Sequence, residues 1–445
     1  MTAAAGDAVV DLGVIRAGDA GRVGPKMARL GQLASTGWRV PDGYAITAGA
    51  LEGWLPAAAL AELHRLFSAP AAGPAAGATG SAVGATGVAA GATGVAAGAA
   101  GRAAAAAGPD YGGHQRLTQL SEQARQLIEA QSLPSGLADA VADAHARLAA
   151  RTGRGALLRV AVRSSAVGED GHAASFAGQY ETYLGVSGAD EVLRHIAKCW
   201  ASGYSAHALD YRRRFGGSSP LRAHDLAVGV LELVDARSAG VAFTLDPVTG
   251  DRGRLVVEAN WGLGESVVSG QVTPDYWTVE RDSGRILERR VGAKLVWSVL
   301  ADTGAAETGN ADDGGDGDGD DDDSAVEVGA EGANRSGTVL APLPAELAQS
   351  PCLTDDEVRY ICRQAAAIEE AEGTPQDVEW AIARDLDVPD SVYFLQHRPE
   401  TTWASATPAA PPPGTPPASA PAPAPAKSFD PVQYALRNVF KVPGT

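Results

Sequence analysis

The chain has 445 residues, of which 45% are hydrophobic and 20% are charged, and its formal net charge is −18 at pH 7. This length accommodates two or three domains that each bury a hydrophobic core. The negative charge repels phosphate backbones, so the composition argues against general nucleic-acid binding, although it is compatible with a local anion site.

The amino-terminal sequence "MTAAAGDAVVDLG" has neither the basic region nor the apolar region of a secretion signal. No run in the chain approaches the roughly 18 apolar residues that a membrane span needs. We therefore expect a cytoplasmic protein without membrane contact. Cys199, Cys352 and Cys362 form no CxxC pair, which favours buried free thiols over a disulfide framework or a zinc site.

The first predicted helix opens with a lysine. Lys26 follows a Gly-Pro turn in "VGPKMARLGQLASTGWRVPDGYAIT". A lysine at this place can reach a phosphate group as a mobile point charge. Most lysines at helix starts are simply solvated, so this position alone is weak evidence for a site.

A segment of Ala and Gly follows, from residue 69 to residue 108, in which "GATGVAA" recurs every seven residues. The repeat has no apolar stripe, and its glycines destabilise any helix. We predict a flexible insertion rather than a coiled coil.

The next strand, "LLRVAVRSS", ends at an arginine and two serines that precede a glycine-rich loop. An arginine fork, serine hydroxyls and exposed backbone N–H groups together form a cradle for an anion. From spacing alone, an ion pair between Arg163 and Glu169 or Asp170 in a surface loop explains the pattern equally well. The candidate anion-binding residues are Arg163, Ser164, Ser165, Ser175, Gly178 and Gln179.

Beyond this loop, strand-like and helix-like stretches alternate. "DLAVGVLELVD" and "RLVVEANWGLGESVVSG" read as buried strands that lead into loops, and "ELAQSPCLTDDEVRYICRQAAAIEEAEG" has helical spacing after a Thr-Asp start. The predicted fold class is therefore α/β or α+β.

An acidic segment interrupts this region. Residues 301–336 contain twelve acidic residues and one arginine, which accounts for −11 of the net charge. Asp316, Asp318, Asp320 and Glu327 have the spacing of a calcium loop, but Asp321 stands where that loop needs glycine. We predict a solvated, disordered linker.

A second cluster of polar residues lies in "PQDVEW" and "FLQHRPE". Alternation along strands puts Asp377 and Glu379 on one face and Gln396 and Arg398 on one face, and a hairpin would join the four. Carboxylate and amide oxygens suit Mg²⁺, and an arginine beside them can bind phosphate. An ordinary ladder of ion pairs between the two strands is the alternative.

The carboxy-terminal region consists of a proline-rich spacer, residues 406–427, and a short tail, residues 428–445. In the tail, Val432, Leu436, Val439 and Phe440 fall on one stripe of a short helix. This stripe either folds back on the body of the protein or, as we favour, anchors a partner protein.

These stretches resemble the ATP-binding domain of the phosphoenolpyruvate synthase and pyruvate phosphate dikinase family. Five of the family's motifs occur here in its order, over about residues 10–403. They are "GPKMARLGQ", "VRSSAVGEDGHAASFAGQYETYL", "AGVAFTLDPVTG", "EANWGLGESVVSGQVTPD" and "QDVEWA" with "LQHRPET".

The resemblance implies an ATP-grasp type fold that holds Mg-ATP in a cleft between an N-terminal lobe, residues 1–222, and a C-terminal lobe, residues 223–405. It assigns residues to the phosphates and to the metal. Lys26 and Arg163 match the family's phosphate-contacting cations, and Gly178 and Thr182 match the loop that covers the phosphates. Glu379 and Gln396 match its magnesium ligands, and Asp377 lies beside them. Arg398 matches its arginine on the transferred phosphates.

The sequence departs from the family's pattern at three places. Pro25 replaces a glycine before the lysine, Leu231 stands where relatives have a glutamine that contacts the nucleotide, and the strand pair is longer at "ARDLDVPD". With leucine in place of this glutamine, the resemblance implies altered recognition of the adenine or ribose and retained phosphate binding.

None of the eight histidines stands in the family's phosphorylatable "GG…SH" context. We therefore expect a chain that performs the ATP half of a dikinase reaction on the histidine of a separate swivelling subunit, as in split relatives such as phenylphosphate synthase. A nucleotide-binding regulatory or scaffold protein and a stand-alone small-molecule kinase are the alternatives.

Overall fold

The computed structural model describes seven segments of the chain. They are residues 8–52, 54–68, 114–167, 181–215, 226–301, 337–384 and 386–403. The Ala/Gly insertion, nearly all of the acidic segment, the proline-rich spacer and the amphipathic tail lie outside the described residues. The predictions made for those segments therefore stay predictions.

Within the described residues, thirteen strands and ten helices alternate along the chain. The strands are β1 Val9–Asp11, β2 Gly43–Ile46, β3 Arg159–Ala166, β4 Thr182–Ser187, β5 Leu226–Glu232, β6 Ala236–Phe243, β7 Arg254–Trp261, β8 Asp275–Glu280, β9 Ile286–Arg290, β10 Val296–Leu300, β11 Thr338–Pro342, β12 Gln376–Ala383 and β13 Val392–Pro399. The helices are α1 Ala20–Ser35, α2 Gly49–Glu52, α3 Ala57–Ser68, α4 His114–Glu129, α5 Ser135–Thr152, α6 Ala189–Ser202, α7 Ala206–Phe215, α8 Glu265–Val268, α9 Ala345–Ala348 and α10 Asp355–Glu372.

Three antiparallel sheets form the scaffold. The first sheet has five strands in the order β1-β2-β5-β3-β4, and the second has six in the order β13-β12-β6-β7-β8-β9. Strands β10 and β11 form a separate two-stranded sheet. The predicted mixed class is confirmed, and because every pair is antiparallel the arrangement is of the α+β kind.

Each large sheet buries one face against helices. Helices α3 to α6 cover one face of the first sheet, where Trp54 and Trp200 pack with ring centroids 5.0 Å apart. Helix α10 covers the back of the second sheet, over Trp277 and Trp380. Fully burying such aromatic side chains is a main source of core stability. Among the described helices, none combines the length and apolarity that a membrane crossing requires.

The predicted helix after the Thr-Asp start is confirmed as α10. The Thr354 side chain accepts a hydrogen bond from the Glu357 backbone N–H, and the Glu357 carboxylate accepts one from the Thr354 backbone N–H. This reciprocal capping fixes the first turn of the helix. The start of the preceding "ELAQS" belongs to the separate helix α9, Ala345–Ala348, because Pro351 interrupts the chain between the two helices.

The three cysteines are free and buried, as the sequence predicts. Burial raises the pKa of each thiol. The thiols are therefore uncharged near neutral pH and act as packing groups.

Helix α1 is kinked at Gly24, where it approaches strand β3. Gly24 has φ 74° and ψ 160°, a conformation essentially restricted to glycine. A Cβ atom at this position would lie 2.1 Å from the Ser165 carbonyl oxygen. Beyond the kink, Pro25 opens the regular helix, and the Met27 backbone N–H donates to the Ser165 hydroxyl oxygen over 3.3 Å. This close approach fixes the position of Lys26 relative to β3.

We expect Gly24→Ala to lower the free energy of unfolding by about 2 to 4 kcal/mol, because it adds backbone strain of about 1–3 kcal/mol and an overpacked methyl group. Gly21→Ala in the same helix is the matched control, since a Cβ atom there meets no heavy atom within 4 Å. Denaturant unfolding of both variants measures the difference. Equal stability of the two variants would show that the approach of α1 to β3 is not as tight as described.

Candidate functional site

The hairpin of β12 and β13 brings together the four polar residues that the sequence groups. Asp377 lies directly opposite Arg398, and Glu379 lies directly opposite Gln396. Residues that face each other across a strand pair project from the same side of the sheet. The predicted arrangement is confirmed, and the four side chains form a cluster on the face of the second sheet that we call the front face.

One pair in this cluster is an ion pair, so the alternative of a strand ladder is partly realised. Arg398 Nε donates to Asp377 Oδ2 over 3.1 Å. The other oxygen, Asp377 Oδ1, is buried and accepts no hydrogen bond from the described residues. Burial raises the pKa of Asp377 although the positive charge of Arg398 opposes that shift. An unsatisfied buried carboxylate oxygen is costly unless a donor or a cation reaches it.

Arg163 joins this cluster from the other large sheet. One Nη atom of Arg163, on β3, donates a hydrogen bond to Gln396 Oε1 on β13. The Arg163 Nε atom is buried and has no acceptor among the described residues. The structure thus brings the two polar stretches, separated by more than two hundred residues in the chain, to one place.

Lys26 lies on the same side of the first sheet as Arg163. Both cations act electrostatically on the buried Cys199 thiol, lowering its pKa against the larger effect of burial. Lys26 is half-buried at the start of the regular part of α1. Two positive charges of different reach therefore lie on this side of the first sheet, and Arg163 is the one that contacts the cluster.

The remaining candidates of the glycine-rich region separate into three groups. Thr182 is exposed and lies opposite Arg163 on β4. Ser164 is not brought together with Arg163, because alternation along β3 places it on the helix-covered face, where its buried hydroxyl has no described partner. The candidates that lie outside the described residues are Ser175, Gly178 and Gln179.

Helix α1 and the chain after it are anchored to β13. The Phe394 backbone N–H donates to the Arg39 carbonyl over 2.9 Å, and the Arg39 guanidinium donates to the Tyr393 hydroxyl over 2.7 Å. His397 Nδ1 lies 3.0 Å from Gln376 Oε1, and burial lowers the pKa of His397 to about 4. A neutral imidazole therefore packs behind the cluster. The contacts between β13 and the chain after α1 fix the position of α1, which carries Lys26, relative to β13, which carries Gln396.

Leu231, the departure from the family's glutamine, belongs to a hydrophobic cluster. It is buried beneath α1 with Met27 and Leu30 and lies opposite Gly43 on β2. Its aliphatic side chain therefore contributes packing, and it offers no hydrogen bond to a ligand.

The sequence analysis missed Glu258, which faces the cluster from β7. Glu258 lies opposite Val241, which in turn lies opposite Glu379, so both glutamates project from the front face. Burial raises the pKa of Glu258 to about 7 although the positive charge of Arg290 opposes that shift. The only signal in the sequence is that Glu258 opens the "EANWGLGE" motif, and the structure places it in the middle of β7.

A buried ion pair supports the outer strands of the second sheet. The ammonium group of Lys294 donates to Asp275 Oδ1 and to the Ser350 carbonyl, and both side chains are fully buried. Asp275 also accepts from the backbone N–H groups of Gly292 and Cys352, at 2.8 and 2.7 Å. These bonds fix the start of β8, next to the residue that faces Glu258.

The cluster fits a divalent cation with few protein ligands. Across the described residues, no three His, Cys, Asp or Glu side chains converge as a complete metal cage. A magnesium ion does not require one, because it keeps several waters and takes further oxygen ligands from a bound phosphate. The carboxylate of Glu379, the amide oxygen of Gln396 and the unsatisfied Asp377 Oδ1 are oxygen donors of the type that Mg²⁺ prefers.

Fold and cluster together define a mixed helix-and-sheet protein with a site suited to an anion and a hard cation. Residues 20–315 and 321–415 match the family model described as pyruvate phosphate dikinase, AMP/ATP-binding domain. This match covers well over half of the chain. The chain belongs to this family, as the motifs in the sequence predict.

Three named relatives are similar to most of this chain. The probable phosphoenolpyruvate synthase of Staphylothermus marinus is 35% identical over 294 residues, which are 65% of this chain and 33% of the relative. The phosphoenolpyruvate synthase of Aeropyrum pernix is 36% identical over 290 residues, 64% of this chain and 34% of the relative. Rifampicin phosphotransferase of a Streptomyces species is 33% identical over 398 residues, 89% of this chain and 36% of the relative. The chain therefore spans about a third of the length of these relatives.

We expect Lys294→Met to lower the free energy of unfolding by about 3 to 5 kcal/mol, because it leaves the buried Asp275 charge without its cation. Arg289→Met is the control. Arg289 pairs with Asp355 at 3.4 Å, with side chains 53% and 47% exposed, and loss of such a pair costs at most about 1 kcal/mol. Urea unfolding compares the two. A Lys294→Met protein as stable as the control would contradict the role assigned to the buried pair.

Proposed function

We propose that this chain binds Mg-ATP in a cleft between its two large sheets and transfers a phosphoryl or pyrophosphoryl group to a histidine on a separate partner subunit. The observation that carries the proposal is the meeting of Arg163 with the Glu379, Gln396 and Arg398 cluster. Membership of an ATP-binding domain family gives the nucleotide. The histidine acceptor and the separate subunit rest on the resemblance of the sequence motifs.

In this proposal Glu379 and Gln396 hold the magnesium ion, with Asp377 beside them. The ion supplies charge neutralisation of the phosphates when it is bound. Arg398 is oriented by its ion pair with Asp377, which holds the guanidinium in place on the front face. A preorganised guanidinium needs little rearrangement when negative charge develops on the phosphate oxygens.

Arg163 and Lys26 contact the phosphates from the first sheet. The planar fork of Arg163 offers two directed donors, whereas the Lys26 ammonium group follows the phosphate as a mobile charge. Phosphoryl transfer depends mostly on positioning and charge neutralisation, so cations held from two sides of the nucleotide account for most of the expected rate enhancement. The cluster is partly buried, which limits the access of water to the transfer.

The acceptor is proposed to lie outside this domain. Among the described residues, His145, His195 and His397 are buried and are not placed to accept a phosphoryl group. The exposed His64 and His207 lie on helices α3 and α7, which pack on the face of the first sheet opposite Arg163. The name of rifampicin phosphotransferase states a small-molecule acceptor for that relative. Transfer through a partner histidine is compatible with a small-molecule final acceptor of that kind and with other final acceptors. The cytoplasm, where ATP is abundant and thiols stay reduced, is the proposed location.

A nucleotide-binding regulatory protein is the second candidate, and Leu231 is the observation that favours it. Leu231 fills a core position where a polar nucleotide contact is expected. A regulatory protein would bind ATP without passing label to any partner.

To test the proposed function, the chain is incubated with candidate histidine-bearing subunits and with ATP labelled at the β or the γ phosphate. The proposal expects acid-labile label on the partner, and none on a partner whose histidine is replaced by alanine. Label from the β phosphate identifies pyrophosphoryl or second-phosphoryl transfer. Tight ATP binding without labelled protein in any mixture would favour the regulatory alternative.

We expect Arg163→Ala and Arg398→Ala each to lower the rate of phosphotransfer by about a hundred- to a thousandfold, the loss typical of one preorganised charge-stabilising donor. Both variants should keep their melting temperature within a few degrees. Arg285→Ala is the control, because Arg285 pairs with Glu280 at the exposed end of β8. Normal turnover in a folded Arg398→Ala protein would remove that residue from the site.

We expect Glu379→Gln to weaken magnesium-dependent ATP binding, since a neutral amide offers less charge to a hard cation. Titrating Mg²⁺ at fixed ATP should show an apparent magnesium affinity lower by about tenfold or more, with weaker dependence of ATP affinity on Mg²⁺. The control is Glu370→Gln, an exposed position on α10. An unchanged magnesium dependence would rule out Glu379 as a ligand.

A further inference from the structure

Glu258 occupies the front face of the second sheet in the same row as the proposed metal ligands. The row runs from Gln396 through Glu379, Val241 and Glu258 to Tyr276, each residue opposite the next. Adjacent strands lie about 4.8 Å apart, so the Cα atoms of Glu379 and Glu258 are about 10 Å apart. Val241 separates the two side chains. A nucleotide whose phosphates lie over Glu379 therefore comes within reach of Glu258.

The Glu258 carboxyl group has no hydrogen-bond partner among the described residues. Arg290, the cation that acts electrostatically on Glu258, is engaged elsewhere: its Nε lies 2.9 Å from Glu288, and its guanidinium lies 4.1 Å from the centre of the Tyr276 ring. Asp246, in the turn after β6, adds negative charge near Tyr276. Glu258 is thus a largely buried acid with unused donor and acceptor positions.

The charges on the neighbouring strands decide which form of Glu258 can face a nucleotide. Arg290 on β9 favours the ionised form of Glu258, and Glu288 on the same strand offsets that charge. Glu379 and Asp377 on β12 are acidic, and the ion pair with Asp377 engages Arg398 on β13. An ionised Glu258 would repel the phosphates of a bound nucleotide, whereas a protonated carboxyl group can donate a hydrogen bond to a phosphate oxygen.

We propose that Glu258 is a further residue of the nucleotide site, and that its carboxyl group meets the bound polyphosphate as a protonated hydrogen-bond donor. This inference rests on the proposed function, because it needs the phosphates over Glu379. No covalent bond changes: the proton on Glu258 comes from solvent and stays on the carboxyl oxygen while the nucleotide is bound.

Proton uptake follows from this arrangement. The negative charge of the nucleotide raises the pKa of Glu258 above its value of about 7 in the free protein. At a pH above 7 the free protein has lost this proton and the complex holds it, so binding takes up a proton and weakens as the pH rises. For one such group the dissociation constant should increase by about tenfold or more between pH 6.5 and pH 8.5.

The experiment is calorimetric titration of the chain with AMP-PNP and Mg²⁺ at pH 6.5, 7.5 and 8.5, in buffers that differ in ionisation enthalpy. Because the nucleotide has its own protons, the measured quantity is the difference between wild type and Glu258→Gln, whose amide mimics the protonated acid. Glu280→Gln is the matched control. It lies on the neighbouring strand, and hydrogen bonds from Ser283 and Arg285 lower the pKa of Glu280, so it stays ionised over this range.

At pH 7.5 and 8.5, nucleotide binding to wild type and to Glu280→Gln should take up as much as one proton more than binding to Glu258→Gln. Only Glu258→Gln should keep its nucleotide affinity at pH 8.5. Equal proton exchange and equal pH dependence in all three proteins would overturn the inference. Absence of any nucleotide binding by the wild type would instead contradict the proposed function.

A second measurement avoids dependence on the variant. Carboxyl resonances of the wild type, labelled with carbon-13 in glutamate, are titrated with and without AMP-PNP and Mg²⁺. We expect one glutamate with a pKa near 7 that shifts upward in the complex. If no such glutamate has a higher pKa in the complex than in the free protein, the inference is overturned.

Discussion

The register between β12 and β13 is the constraint on which the rest of the site depends. It sets Asp377 opposite Arg398 and Glu379 opposite Gln396, so two acids, an amide and a guanidinium leave the sheet from one face. Arg163 then reaches Gln396 from the other sheet. Because side chains alternate along a strand, a slip of one residue would turn all four hairpin side chains toward the helix-covered back of the sheet. The hairpin therefore fixes both the composition and the position of the cluster.

The cluster is partly buried, with the Asp377 side chain 14% exposed and the Arg398 side chain 32% exposed. Burial raises the pKa of Asp377 and of Glu258 and lowers that of His397, so each of these groups moves toward its neutral form. Such groups are costly when left without partners. A bound cation and a polyphosphate would satisfy Asp377 Oδ1 and Arg163 Nε, which have no partner among the described residues. The same burial that is costly in the free protein strengthens the electrostatic attraction for the ligand.

The strands and the hairpin could be predicted from the sequence because period-two alternation in "QDVEWA" and "FLQHRP" is a local signal. The contact between Arg163 and Gln396 could not be predicted from a local pattern, because the two residues are 233 positions apart in the chain. Only the resemblance to the family grouped the two motifs. Ser164 and Ser165 look equivalent in the sequence, yet strand alternation places them on opposite faces. Glu258 was missed because a single acid within a strand carries no signal until its neighbours across the sheet are known. The insertions and the tail lie outside the described residues.

We propose that Arg163 and the β12–β13 cluster form one Mg-ATP site, and a crystal structure of the chain with AMP-PNP and Mg²⁺ tests this. We expect magnesium bound to oxygens of Glu379 and Gln396, with the triphosphate between Arg163 and Arg398. The chain has another concave site, a cavity of about 690 Å³ between α10 and the turn after β8, lined by Arg281, Arg359 and Arg363. Nucleotide bound in that cavity, with the cluster free of metal and phosphate, would contradict the account.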